Sequence, residues 1–423
     1  MNIDFMRALD DWFGPILCFP IQVFLRLKAF LPLPQPNLPD QDVRLIVLQK
    51  YFGMGSTLHA IPLIRALRYR YPDAVIVFIT FKPMEPVCRV CALADEVVVI
   101  PTDSIVRFAF KVVGALLNLR RRGVDLTIDL EFFAKFPLLI SVLSGARIRL
   151  GLFQRNIRPS GILTHPIYYN TYRPLREIFF AFAMALNIER QKAFFERTLP
   201  SGDELTQSDW RKELGLDVPS SLVVINPNAG EMAVERRWPK ESFIQLIRLM
   251  LQHYPQHHYV LIGSSSEREY TLDVEREACK GMGRTITNLA GRTGLTELFD
   301  LLSTASLVIS SDTGPMHVAS LYGTPLVTFF GPETPVVYGP VNANALVFYS
   351  EEMYCSPCLN VYDGKRCVRG KDCTSAECLE RISPEDVFTA IQAWIKRGGP
   401  GWDDERLSSA APSLEPETRR FVS

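Results

Sequence analysis

Three runs in this chain of 423 residues carry side chains whose types and spacing suit an anionic ligand. In Asp312-Thr313-Gly314-Pro315-Met316-His317 a carboxylate and an imidazole flank a Thr-Gly turn, between the apolar run Leu307 to Ile309 and a helical pattern starting at Pro315. Backbone N–H groups at a helix start are unpaired and carry partial positive charge, so Thr313 and Gly314 can hold a phosphate while Asp312 and His317 supply polar side chains. The same spacing also fits an ordinary βαβ crossover with an Asp cap. In Glu235-Arg236-Arg237-Trp238-Pro239, Arg236 stands two residues before a Trp-Pro helix start. There a guanidinium can meet a diphosphate bidentately while Trp238 braces the loop, or lie on the surface above a packed Trp. In Gly263-Ser264-Ser265-Ser266-Glu267 the Glu267 carboxylate suits a ribose diol, or simply the N-terminal charge of a helix.

A fourth run, Gly53-Met54-Gly55-Ser56, follows the apolar stretch Val43 to Leu48. It fails as a dinucleotide fingerprint, because Leu58 stands where the third glycine belongs. Its glycines let a strand turn tightly into a helix and allow a substrate to come close.

The elements that must position these runs alternate along the chain. Apolar runs of strand length alternate with helical patterns, which predicts parallel sheets covered by helices on both faces. The fold class is therefore α/β, with two Rossmann-like doubly wound domains facing a cleft. The expected organisation is an N-terminal apolar segment at 1–37, a Rossmann-like domain at 38–190, a linker at 191–221 and a second Rossmann-like domain at 222–383. A C-terminal helix at 384–397, expected to pack across the two halves, precedes a disordered tail at 398–423. Lys plus Arg and Asp plus Glu both number 46, so global attraction to nucleic acid has no support.

Residues 12–25 carry no charge, yet the run is short for a bilayer span and contains Pro15 and Pro20. Asp4, Asp10 and Asp11 precede it against Arg7 alone, the wrong flank for a signal peptide. A peripheral segment lying in the membrane interface is the favoured expectation, and a helix packed on the protein's own surface is the alternative.

Cys355, Cys358, Cys367, Cys373 and Cys378 cluster in a loop-rich stretch, 355–378. They are either thiols, including redox-sensitive pairs, or the ligands of a structural zinc or iron–sulfur site.

Asn288-Leu289-Ala290-Gly291-Arg292-Thr293, Leu295, Glu297-Leu298, Asp312 to Ala319 and Phe330-Gly331-Pro332 together resemble glycosyltransferase family 9, the lipopolysaccharide heptosyltransferases. The Trp238-Pro239 and Gly53-Met54-Gly55 loops look like that family too, and the similarity spans roughly residues 43–395. The resemblance implies a GT-B fold and an inverting, metal-independent transfer without a cofactor. The donor would be a nucleotide sugar, typically ADP-heptose, and the acceptor a lipid A core at the cytoplasmic face of the inner membrane. It implies that Arg236 replaces the family's phosphate-contacting Lys, Glu267 binds ribose and Asp312 holds donor hydroxyls. Thr313 and Gly314 would cradle the diphosphate, with Met316 and His317 in the same donor motif. Gly53, Met54 and Gly55 would form the acceptor-side loop.

Two positions depart from the family pattern. Ser56 stands where the family has the Asp taken as general base, and a hydroxyl cannot accept a proton at neutral pH unaided. Asp129 and Glu131, at the end of a predicted strand, are the replacement candidates ahead of His59. Pro315 removes one N–H from the helix start. The alternatives to a heptosyltransferase are a same-fold transferase of another nucleotide sugar and a non-catalytic nucleotide-sugar-binding protein.

Overall fold

The computed structural model describes residues 3–29, 43–132, 134–153, 161–196, 199–200, 205, 210–216, 221–230, 234–358, 376–400 and 421–422. The chain divides into two compact units, with the boundary between Glu196 and Arg197.

The first unit is built on strands β1 (Leu45–Gln49), β2 (Val75–Phe81), β3 (Glu96–Ile100), β4 (Leu126–Asp129), β5 (Ile148–Phe153) and β6 (His165–Tyr168). They form one parallel sheet in the order β3-β2-β1-β4-β5-β6. Every residue of β1 and β4 is buried, polar Gln49, Thr127 and Asp129 included, as central strands between two helical layers require. The longer helices are α1 (Ile3–Ala29), α2 (Ile61–Arg70), α3 (Ile105–Arg122), α4 (Phe136–Leu143) and α5 (Leu175–Ala185). Strand β6 escapes sequence reading because Pro166 lies inside it, a residue sheets accept at an edge.

Helix α1 runs unbroken through Pro15 and Pro20, where the sequence suggested interruption. Both prolines are exposed, so the carbonyls that lose their intrahelical partners lie toward the open side. By length and composition it is sufficient to cross a membrane. Its other side is docked: Cys18 is buried against Leu138 and Ile162, and Gly14 lies close over the Lys135 stem. The N–H groups of Lys135 and Phe136 donate to the Asp10 carboxylate at 2.8–3.0 Å. Asp10 thus caps α4, which has no side-chain cap of its own.

The second unit holds β7 (Leu222–Asn226), β8 (His258–Leu261), β9 (Thr287–Asn288), β10 (Leu307–Ser311), β11 (Leu326–Phe330), β12 (Ala345–Tyr349) and β13 (Phe421–Val422). They are parallel in the order β13-β12-β11-β10-β7-β8-β9. Around them lie α6 (Lys240–His253), α7 (Arg268–Cys279), α8 (Leu295–Thr304), α9 (Gly314–Tyr322) and α10 (Pro384–Lys396). Helix α10 was expected to bridge the halves. Its Val387, Phe388, Ile391 and Ile395 enter the core of this unit, where Phe388 meets His253 and Tyr254 at the end of α6. Of the expected linker, Trp210 is fixed to α8 by a hydrogen bond from its indole N–H to Asp300 Oδ2 at 3.0 Å.

Candidate functional site

In the second unit the reactive side chains gather at the carboxyl ends of β7, β10 and β11. Asn226, the last residue of β7, donates from Nδ2 to Ser310 Oγ (3.1 Å) and Thr313 Oγ1 (2.9 Å), tying β7 to the turn after β10. That turn holds Asp312, only 2 % exposed, and leads into α9 at Gly314, one residue before the predicted start. Pro315 occupies the first turn, so Gly314 and Met316 supply the remaining N–H groups there. The Met316 side chain is buried; only its backbone faces the turn as a donor.

Arg236 reaches Asp312 from the loop after β7, with Nη1 3.3 Å from Oδ2. His317 Nε2 lies 3.5 Å from Oδ1. Burial opposes a charge on Asp312, but the adjacent Arg236 guanidinium and His317 hold its carboxyl below the ordinary range. The loop carrying Arg236 is anchored by Trp238. Its backbone N–H donates to Ser311 Oγ (3.2 Å), its indole N–H to the Ile382 carbonyl (3.1 Å), and its ring stacks on Phe329 at 4.2 Å. Arg237 instead covers the Tyr270 ring at 4.1 Å.

Glu267 is half-buried and accepts from the N–H groups of Ser264 (2.8 Å) and Gly230 (3.1 Å), joining the loops after β7 and β8. The capping alternative for Glu267 is therefore realised in a box with Ser264.

One residue of this site escaped the sequence reading. Glu333, after the Gly331-Pro332 turn, is buried beside Asp312 and Arg236. Burial and the Asp312 charge push its carboxyl well above the usual range. Its only sequence signal was a carboxylate in a Gly-Pro turn after an apolar strand. Close beneath, a Cβ on Gly331 would meet Cys378 Sγ at 2.6 Å, which makes that position a requirement for glycine. Cys358 N–H donates to the Pro332 carbonyl at 2.9 Å. Among the described residues no group of three His, Cys, Asp or Glu side chains is arranged to hold a metal; Cys367 and Cys373 lie outside the described residues.

In the first unit, Gly53 adopts φ 82°, and the loop ends in a one-turn helix, Met54–Leu58. Ser56 Oγ donates to the Gly53 carbonyl at 2.9 Å, so its hydroxyl serves the turn. Gly55 is buried, and His59 is 2 % exposed. Strand pairing sets Gln49 opposite Asp129, which brings both carboxylate candidates to this loop. Glu131 Oε1 accepts from the N–H groups of Tyr51 (2.7 Å) and Phe52 (3.0 Å) and lies 3.1 Å from Lys50 Nζ. Asp129 Oδ1 accepts from the Glu131 N–H at 2.9 Å. Lys50 and Glu131 are almost fully buried, a pairing invisible from sequence. Glu131 Oε2 has no hydrogen-bond partner among the described residues.

Residues 119–368 match the family model described as glycosyltransferase family 9 (heptosyltransferase). The chain belongs to glycosyltransferase family 9. It is an enzyme of the glycosyltransferase class. The transferase is 25% identical over 357 residues to lipopolysaccharide heptosyltransferase 3 of Escherichia coli (strain K12), covering 82% of this chain and 97% of that protein. Among solved structures, the glycosyl transferase family 9 protein from Veillonella parvula DSM 2008 aligns with TM-score 0.66 and 20% identity, over 85% of this chain and 99% of that one. E. coli ADP-heptose lps heptosyltransferase II aligns with TM-score 0.62 and 20% identity, over 84% and 99%. These likenesses identify a GT-B-like α/β fold.

Proposed function

We propose that this transferase moves a heptose from ADP-heptose onto a lipopolysaccharide core or related surface glycolipid. The observation that carries this is the cluster of half-buried Arg236 with buried Asp312 and His317 at the start of α9, in a member of this family whose relative over 97% of its length is a lipopolysaccharide heptosyltransferase.

The chemistry follows from charge. Attack by the acceptor oxygen on the anomeric carbon breaks the bond to the diphosphate, with inversion, and leaves negative charge on the departing oxygen. Arg236 and the N–H groups of Gly314 and Met316 neutralise that charge, and this chain needs no divalent cation for the role. Asp312, kept ionised, holds donor hydroxyls and orients Arg236. Glu333, whose carboxyl burial pushes towards the protonated form, donates a hydrogen bond to a phosphate or sugar oxygen. Glu267 meets the ribose through its exposed side. In the first unit, Gly53, Met54 and Gly55 shape the acceptor loop. Glu131 takes the acceptor's proton on Oε2 in place of the missing Asp at position 56, ahead of Asp129 and His59.

The acceptor is a lipid, so the enzyme works peripherally at the cytoplasmic face of the inner membrane with α1 against the bilayer. The outward side chains Trp12, Phe13, Ile16, Phe19, Phe24 and Leu27 are more than half exposed, which supports that placement. The deciding assay supplies purified enzyme with ADP-heptose and an extracted lipid A core lacking outer heptose. ADP release with a mass gain of one heptose on the acceptor is expected. Turnover with a different nucleotide sugar and none with ADP-heptose would overturn the donor assignment.

A further inference from the structure

Helix α3 is apolar on two opposite faces. Phe108, Val112 and Leu116 pack on the core of the first unit and Leu119 is buried in it. Val106, Phe110, Val113 and Leu117 recur at i, i+4, i+7 and i+11, a single helical stripe on the other side. These four are 63%, 75%, 53% and 51% exposed, and Ile105 at the helix start is 56% exposed. A docked helix needs one apolar face; the second calls for a cover.

The charge of the helix says which cover. Within α3 the charged residues are Arg107, Lys111, Arg120, Arg121 and Arg122, with no Asp or Glu. Arg107 pairs with Asp103 and Arg122 with Glu96, both outside the helix. A second copy docking on the same stripe would set cation against cation. An anionic bilayer surface satisfies both features, since acyl chains accept the stripe and headgroups meet the bases. The location agrees: Phe108 of α3 touches Phe136 at the start of α4, the helix on which α1 docks, and Met6 of α1 packs on the same core cluster.

We propose that α3 is a second membrane-contacting helix that binds anionic phospholipid through Val106, Phe110, Val113 and Leu117, flanked by Lys111 and Arg121. This deepens the peripheral-membrane reading of α1, on which it rests only for the orientation of the unit.

The test is co-sedimentation of the full chain with vesicles of phosphatidylcholine alone, or mixed with phosphatidylglycerol. No donor is needed, so the result is independent of the transfer reaction. Wild type is expected to bind the mixed vesicles in preference. Phe110→Glu with Leu117→Glu should weaken that binding at least tenfold, with unchanged thermal melting and unchanged ADP affinity by calorimetry. Lys111→Glu with Arg121→Glu should remove the preference for phosphatidylglycerol. Phe19→Glu with Phe24→Glu reports on α1 separately. Wild-type binding by the α3 double variant overturns the proposal, even if the α1 variant fails to bind. A wild-type dimer that the α3 variant dissociates, without loss of vesicle binding, overturns it in favour of a second copy.

Discussion

Asp312 and Glu333 are neighbouring carboxyls pushed in opposite directions, because the Arg236 guanidinium and His317 face the first and burial dominates the second. Asp312→Asn removes the anion that Arg236 points at, in a pair whose carboxylate is almost wholly enclosed. Loss of about 3 kcal/mol of stability is expected by urea unfolding, and a fall of at least about 100-fold in kcat/KM for the donor, near 2.7 kcal/mol. The two shifts also have opposite pH consequences. Asp312, depressed, stabilises the fold above the unfolded carboxylate value and loses that contribution as pH falls through its native one. Glu333, raised, stabilises below the unfolded value, and its contribution is lost as pH rises through its native one. Glu333→Gln should therefore gain stability relative to wild type as pH rises from the unfolded carboxylate value towards the native one, by up to about 1.4 kcal/mol per pH unit, and level off once native Glu333 ionises. A constant offset across pH would show that folding does not raise the Glu333 carboxyl. For Glu131→Gln, kcat should fall about 100-fold or more while donor KM holds. Adding Ser56→Asp should recover part of the rate, and a variant with the wild-type pH–kcat profile would place the base elsewhere.

At the scale of elements, strands and loops carry different information. Strand β1, with β7, β10 and β11, is legible because continuous apolar runs between Gly or Pro turns have few other ways to be buried. The donor loops are legible because each follows such a strand and precedes a helical pattern. Helix α1 was legible as apolar but not as an unbroken helix, since its prolines are tolerated only because their side faces away from the protein. The capping of α4 by Asp10 joins positions more than a hundred residues apart, beyond the reach of any local rule. Asp10→Ala should cost about 1 kcal/mol and speed amide exchange at Lys135 and Phe136, read by hydrogen-exchange mass spectrometry. Unchanged exchange at those two amides would mean that water or another group caps α4.

Across the whole molecule, two units with separate sheets and cores predict two unfolding transitions, which offers a way to assign the buried Lys50–Glu131 pair. A lysine just after a strand normally signals a solvent-facing end. Here the main-chain N–H groups of Tyr51 and Phe52 converge with Lys50 on one carboxylate, so burial is set by a partner 81 residues away, and composition gives no hint of it. Lys50→Met should lower the first unit's transition by about 3–5 kcal/mol and leave the second unit's unmoved. Adding Glu131→Leu should restore much of the loss, followed by denaturant titration with circular dichroism. The capping of α4 has a last consequence, which concerns time rather than energy. Asp10 leaves the ribosome 125 residues ahead of Lys135, an interval of roughly 6–25 s at ~5–20 residues per second. Throughout that interval the oily flank of α1 has no protein to rest on, so the nascent chain meets the bilayer, or a chaperone, before the site on which the helix finally docks has been synthesised.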